Sequence, residues 1–269
     1  MAEAEQATAL VPKGAGIAGL FLGFSYPLRA LRLLIAQPGL RPYVGFPILI
    51  NLILGVSLYA GGLWWGFHQI DRWIVLLPEW AQFVSYLIRA VLGLLLFVVM
   101  GLILLQFGGL LGAPFYGRLS EELEALKTGQ RQAAAPFKLG SIVYDLWRAI
   151  AFELKKLLLL AGVGIPLLIC GWLPGVGALI ASAGGLTLTT TLVCLDFLDP
   201  PLERRRLRFR QKLSIIVRTL PASASFGVLC LALVSIPLVN LLAIPVCITA
   251  GTLFFCDRVY SSPNHDPGR

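Results

Sequence analysis

The chain has 269 residues, of which 57% are hydrophobic and only 13% charged, where soluble globular chains run near a quarter charged. Its formal net charge is +8 and its mean hydropathy +0.81. Residues 43–67, 90–117, 157–195 and 219–256 hold no Asp, Glu, Lys, Arg or His over 25, 28, 39 and 38 residues, which excludes an ordinary water-soluble domain and points to an integral membrane protein.

The first segment, 1–13, is acidic and Ala-rich and is expected to be disordered; it lacks the basic start of a cleaved signal peptide. Residues 14–36 read as a helix with Arg29 and Arg32 three apart on one side and leucines and aromatics elsewhere. That pattern suits an interfacial amphipathic helix on the cytoplasmic face, with a tilted first span as the alternative. Pro38, Gly39 and Pro42 then punctuate the chain before the first long apolar run.

Residues 43–67 are long enough to cross a hydrocarbon core of roughly 30 Å and end in Trp64 and Trp65, rings suited to a headgroup level. Residues 88–112 form the return span. The connection between them has a formal charge of zero through Asp71, Arg72, Glu79 and Arg89, so it is the better candidate for the outside. Residues 118–156 carry seven basic and five acidic side chains, and Ser120 followed by Glu121, Glu122 and Glu124 reads as a helix start with acidic residues in its first turn.

The stretches 157–195 and 219–256 are each broken near the middle, by WLPGVG with further breaks at Gly184 and Gly185 in the first, and by SIPLVNLLAIP in the second. Each therefore reads as a hairpin entering and leaving on the same side, its depth left open because a Pro/Gly tip inside a bilayer needs cover. Between them, residues 203–218 hold seven basic side chains and one acidic, which marks the cytoplasmic face or an anionic-lipid contact. The tail, 258–269, is polar and expected to be disordered.

No enzyme constellation emerges: GxxxxGK, HExxH and GxSxG patterns are absent, and the two histidines lie in a loop and in the tail. The five cysteines are scattered through apolar segments with no CxxC spacing, so they read as small buried side chains, and neither a metal nor another cofactor is expected. Transport has better support. Broken helices place unpaired backbone groups where solute sites form, and Arg41, just before a span, joins a guanidinium to backbone N–H groups, a set suited to a tetrahedral oxyanion or to a snorkelling anchor. Asn51 and Asn240 are polar residues in apolar surroundings, either glue between helices or ligand contacts.

The runs LRLLIAQPGLRPYVGFPILIN (31–51), LGAPFYGRLSEELE (111–124) and FGVLCLALVSIPLVNLLAIPVCITAGTLFF (226–255) resemble the family of CysZ-type bacterial sulfate permeases and the related etoposide-induced membrane proteins. The APF-x-G-x-x-x-E-x-x-E element is its most specific mark. The resemblance implies an all-α integral membrane protein of the bacterial inner membrane. Its architecture would be two long transmembrane helices with two re-entrant or hemi-penetrating helical hairpins and amphipathic interfacial helices, one membrane domain over 14–257, assembled as a homo-oligomer with both termini cytoplasmic. It implies uptake of sulfate or a similar oxyanion for cysteine synthesis, with membrane lipids as partners and no nucleic acid. Carried over by position, Gly39, Leu40 and Arg41 would bind the anion, while Asn51, Pro114, Phe115, Glu121, Glu124 and Asn240 would serve structure or gating. Family members often carry a second basic residue directly after Gly-Leu-Arg, where this chain has Pro42. The competing reading is a non-transporting membrane scaffold that binds anionic lipid through Arg204, Arg205 and Arg206.

Overall fold

The computed structural model describes residues 18–74, 82–129 and 139–260. These form eight α-helices and no β-strand: α1 (Ala18–Ala36), α2 (Arg41–Ile74), α3 (Gln82–Thr128), α4 (Leu139–Gly171), α5 (Gly177–Arg204), α6 (Phe209–Arg218), α7 (Ala222–Val234) and α8 (Pro237–Arg258), with a 3-10 turn at Pro38–Leu40. By length and composition α1, α2, α4, α5 and α8 qualify as candidate membrane spans. The chain is thus an all-helical, multi-pass membrane protein. The expected disordered ends lie outside the described residues, apart from Arg258 to Tyr260; there Val259 is buried and the Tyr260 ring sits 6.3 Å from that of Phe255.

The chain folds as two compact units, one of Arg41–Gly117 and one of the remaining described residues. In the first, α2 and α3 run antiparallel in a steady register. Phe46 stacks on Phe115 with ring centroids 6.2 Å apart, Tyr59 lies 5.1 Å from Phe97, and Asp71 pairs with Arg89 at 3.1 Å. Gly62 and Gly66 leave the notches that make this approach possible: a Cβ on Gly66 would lie 2.1 Å from Leu96 Cδ2, and one on Gly62 2.8 Å from the Met100 sulfur. Small residues four apart are the usual means of close helix association in lipid, where no hydrophobic drive operates between helices. At 1.5 Å per residue the 34 residues of α2 span about 51 Å and the 47 of α3 about 70 Å, both beyond the roughly 30 Å hydrocarbon core.

α3 continues unbroken through Pro114 to Thr128. The helix start expected at Ser120 does not occur. Ser120, Glu121, Glu122 and Glu124 are interior helical residues, because the helix continues past Pro114 and Gly117 and buries Leu119 and Leu123. Gly184 and Gly185 likewise lie inside α5 and do not interrupt it; the first hairpin turns only at 172–176, with Gly175 at φ +86°.

The second unit packs α1, α5, α7 and α8 around the rings of Tyr26, Phe226 and Phe254, with centroids 5.1 and 5.5 Å apart. Here backbone meets backbone. A Cβ on Gly251 would lie 2.1 Å from the Phe197 carbonyl oxygen, one on Gly23 2.3 Å from that of Ala222, and one on Gly227 2.8 Å from that of Thr190. The α4–α5 hairpin is closed at its base by Lys156 with Asp196 (2.6 Å) and Arg148 with Glu203 (2.8 Å), and its tip carries a fully solvent- or lipid-facing Trp172. α6 and α7 meet at 105°. The bend is held by Thr219 donating to the Ile215 carbonyl at 2.9 Å and Ser223 donating to that of Ile216 at 2.7 Å. α7 has 13 residues and reaches about 20 Å, short of a hydrocarbon core, so this arm of the second hairpin cannot cross alone.

Candidate functional site

Gly39 and Leu40 fall in the 3-10 turn between α1 and α2, and Arg41 is the first residue of α2. The turn is fixed by the Leu40 amide donating to the Gln37 carbonyl at 3.1 Å and by burial of the Leu40 side chain. A Cβ on Gly39 meets no atom within 4 Å, so packing does not demand glycine here. Arg41 is exposed. Behind it come the first amides of a long helix, which have no intrahelical acceptor and favour an anion; Pro42 supplies no N–H and is tolerated in a first turn. Asn51, in the first turns of α2, has a buried Oδ1 with no hydrogen-bond partner, and the same holds for Asn240 Oδ1 and Thr190 Oγ1. Pro114 is exposed and Phe115 partly covered by Phe46.

The structure gathers charge elsewhere. Glu124, near the C-terminal end of α3 and beyond its apolar stretch, is buried and receives hydrogen bonds from Arg204 Nη2 at 2.6 Å and from Arg205 Nη2. Arg204 also donates to the Ser120 hydroxyl at 3.0 Å, which is 2.7 Å from that of Thr252 on α8. The Arg205 guanidinium donates to the Pro201 carbonyl and lies over the Phe255 ring at 4.4 Å. Burial acts to raise the pKa of Glu124, but the hydrogen bonds and charges of Arg205 and Arg204 outweigh it and hold the carboxyl below its usual range. Beside this cluster, Lys212 is buried to 1% side-chain exposure and donates to Asp199 at 2.5 Å and to Glu203 at 2.6 Å.

Glu124 therefore stands at the centre of a clamp joining α3, the end of α5 and α8, while Glu121 is only half-buried and makes no ion pair among the described residues. The composition of 203–218 correctly marks a basic region, but two of its guanidiniums turn inward to neutralise Glu124. No local sequence feature pairs Glu124 with residues 80 positions away; the only hint is an acidic residue placed where an apolar helix enters a basic region. The cysteines are all free, with Cys194, Cys230 and Cys247 buried. Among the described residues no group of three His, Cys, Asp or Glu side chains is placed to hold a metal.

Long apolar helices, with charges gathered at helix ends, define a polytopic α-helical membrane protein. Residues 26–245 match the family described as Sulfate transporter CysZ/Etoposide-induced protein 2.4. The chain belongs to that family, which is one of transporters and not of enzymes.

Proposed function

We propose that this protein is an inner-membrane permease for sulfate or a similar oxyanion, supplying sulfur assimilation, with Gly39, Leu40 and Arg41 as the anion-binding element. The observation that carries the reading is the position of Arg41 at the first turn of a 34-residue apolar helix in a chain of the sulfate-transporter family. A guanidinium beside first-turn amides offers forked donors and positive helix-end potential to a tetrahedral dianion. Asn51 and Asn240 supply unpartnered buried oxygens, suited to hydrogen bonds between helices or to a ligand contact, and Glu124 holds the clamp on which the α3 end, with Pro114 and Phe115 upstream, depends. Entry of a dianion against an inside-negative potential costs about 2.3 kcal/mol per charge per 100 mV, so net uptake requires a steep gradient, rapid consumption or a coupled ion.

The test is radiolabelled sulfate uptake into proteoliposomes holding the purified protein, beside empty liposomes and an Arg41→Ala variant, at two imposed pH gradients. Uptake that exceeds empty liposomes and falls at least tenfold in the variant is expected. A flat trace from folded, inserted protein would leave a non-transporting scaffold as the function. Robust uptake untouched by Arg41→Ala would remove Arg41 from the site.

A further inference from the structure

α1 presents three different faces. Gly23, Tyr26, Ala30 and Leu34 are buried against α7 and α8. Phe21, Phe24, Leu28, Leu31 and Ile35, at alternating spacings of three and four, are all exposed, forming an apolar stripe along one side. The third face carries Arg29 and Arg32. At 3.6 residues per turn its centre lies about 90° around the helix from that of the stripe.

Arg29 and Arg32 line an open pocket of about 330 Å³ together with Lys127 at the end of α3 and the apolar side chains of Leu33, Ala36 and Leu253. Asp257 on α8 completes it and pairs with Arg29 at 3.3 Å. Three cations against one carboxylate leave an excess of two positive charges. Among the described residues Arg32 and Lys127 have no carboxylate within ion-pair distance. The Arg29–Asp257 pair is long and more than a third exposed on both sides, which makes it weak and open to exchange with another anion. A basic pocket that also presents apolar side chains, at the lower end of the roughly 300–1,000 Å³ range of small-molecule sites, offers more than the donors a bare tetrahedral ion would use. It matches an amphiphile whose charged end carries phosphate oxygens.

We infer that this pocket seats the phosphate of an anionic membrane phospholipid, held by Arg29, Arg32 and Lys127, with its acyl chains lying along the Phe21–Phe24–Leu28–Leu31–Ile35 stripe. The Arg forks donate bidentately to phosphate oxygens and Lys127 acts as a point charge. Asp257 orients Arg29 while the site is empty and weakens the binding of phosphate by its own charge. The site is independent of Arg41 and of solute passage.

Native mass spectrometry of the full-length protein, released from mixed micelles with equal phosphatidylglycerol and phosphatidylcholine, reads this directly. Each cation near an anionic lipid surface contributes about fivefold in affinity, so the triple variant Arg29→Gln/Arg32→Gln/Lys127→Gln is expected to retain phosphatidylglycerol on the order of a hundredfold less, with phosphatidylcholine unchanged. Asp257→Asn is expected to raise retention up to about fivefold. A second triple, Arg206→Gln/Arg208→Gln/Arg210→Gln, removes the same net charge elsewhere and is expected to change retention by no more than about fivefold. Protection of Cys194, Cys230 and Cys247 from thiol labelling verifies that each variant is folded. Equal loss in both triples, an unchanged first triple, or a fall in Asp257→Asn would overturn the assignment. So would displacement of the lipid by millimolar inorganic sulfate or phosphate, which would make the occupant a free ion.

Discussion

The α2–α3 pair of residues 41–117 and the unit formed by the rest of the described chain both rely on glycine for close packing, yet in different ways. In the pair, the notches at Gly62 and Gly66 are filled by the far ends of Met100 and Leu96 side chains, which can turn aside. In the other unit, Gly23, Gly227 and Gly251 face carbonyl oxygens of neighbouring helices, which cannot move without moving a helix. The pair carries the peripheral ion pair Asp71–Arg89, exposed on both sides, whereas the larger unit buries Glu124, Arg205 and Lys212 in shared networks. The α2–α3 contact therefore rests on side chains that can adjust, and the larger unit is specified by backbone contact and buried charge. All five cysteines lie in the larger unit, whereas the tryptophans divide, with Trp64 and Trp65 in the pair and Trp147 and Trp172 in the larger unit; in a Trp147→Phe/Trp172→Phe background, thiol reactivity and tryptophan emission follow the two units separately.

The largest effect expected is from Glu124→Ala. It leaves two guanidiniums with the carboxylate gone, and removing one partner of a buried ion pair costs about 3–5 kcal/mol. Thiol labelling of Cys194, Cys230 and Cys247 in detergent should begin at a much lower temperature, while tryptophan emission of the pair changes little. Equal midpoints for variant and wild type would show that the clamp carries no stability.

Next comes Gly251→Ala, where a methyl group 2.1 Å from the Phe197 carbonyl oxygen forces α5 and α8 apart. Overpacking of this kind costs typically 1–3 kcal/mol, read as earlier labelling of the same cysteines.

Acidification tests Glu124 without a mutation. Its folded pKa lies below the ordinary value of 4.5, so its contribution is complete above that value and is lost as pH falls through the lower folded pKa. The thiol-labelling midpoint of wild type should therefore fall below pH 4.5 more steeply than that of Glu124→Gln. Parallel curves would assign acid lability to other carboxyls.

These expectations separate what the sequence makes legible from what it hides. Long charge-free runs reveal the membrane and its hairpins because burial in lipid acts on every residue of a span. Ser120 and its glutamates mislead for a local reason: acidic residues near a serine suit a helix start, but here they continue a helix whose apolar face packs on α8 and α5. Gly184 misleads likewise, since glycine in a membrane helix can admit a neighbour, here Leu167, without ending the helix, and Gly185 beside it faces open space. The union of Glu124 with Arg204 and Arg205 and the pocket between Arg29 and Lys127 are tertiary facts, with partners some 80 to 100 residues apart and no pattern connecting them.

The smallest effect distinguishes the two units most clearly. Gly66→Ala places its methyl group 2.1 Å from Leu96 Cδ2, a nominal collision as severe as that at Gly251. The atom it meets is the end of a leucine on the lipid-facing pair, and a rotamer change relieves it for about 0.5–1.5 kcal/mol. Alanine also favours the helix over glycine by roughly 0.8–1.0 kcal/mol. The two terms nearly cancel, so the tryptophan-detected midpoint should stay within about 1 kcal/mol of wild type while Gly251→Ala is clearly destabilised. If Gly66→Ala proves as damaging as Gly251→Ala, then the α2–α3 contact is as rigid as the larger unit, and the distinction between a notch filled by a side-chain end and one filled by backbone carries no energetic weight.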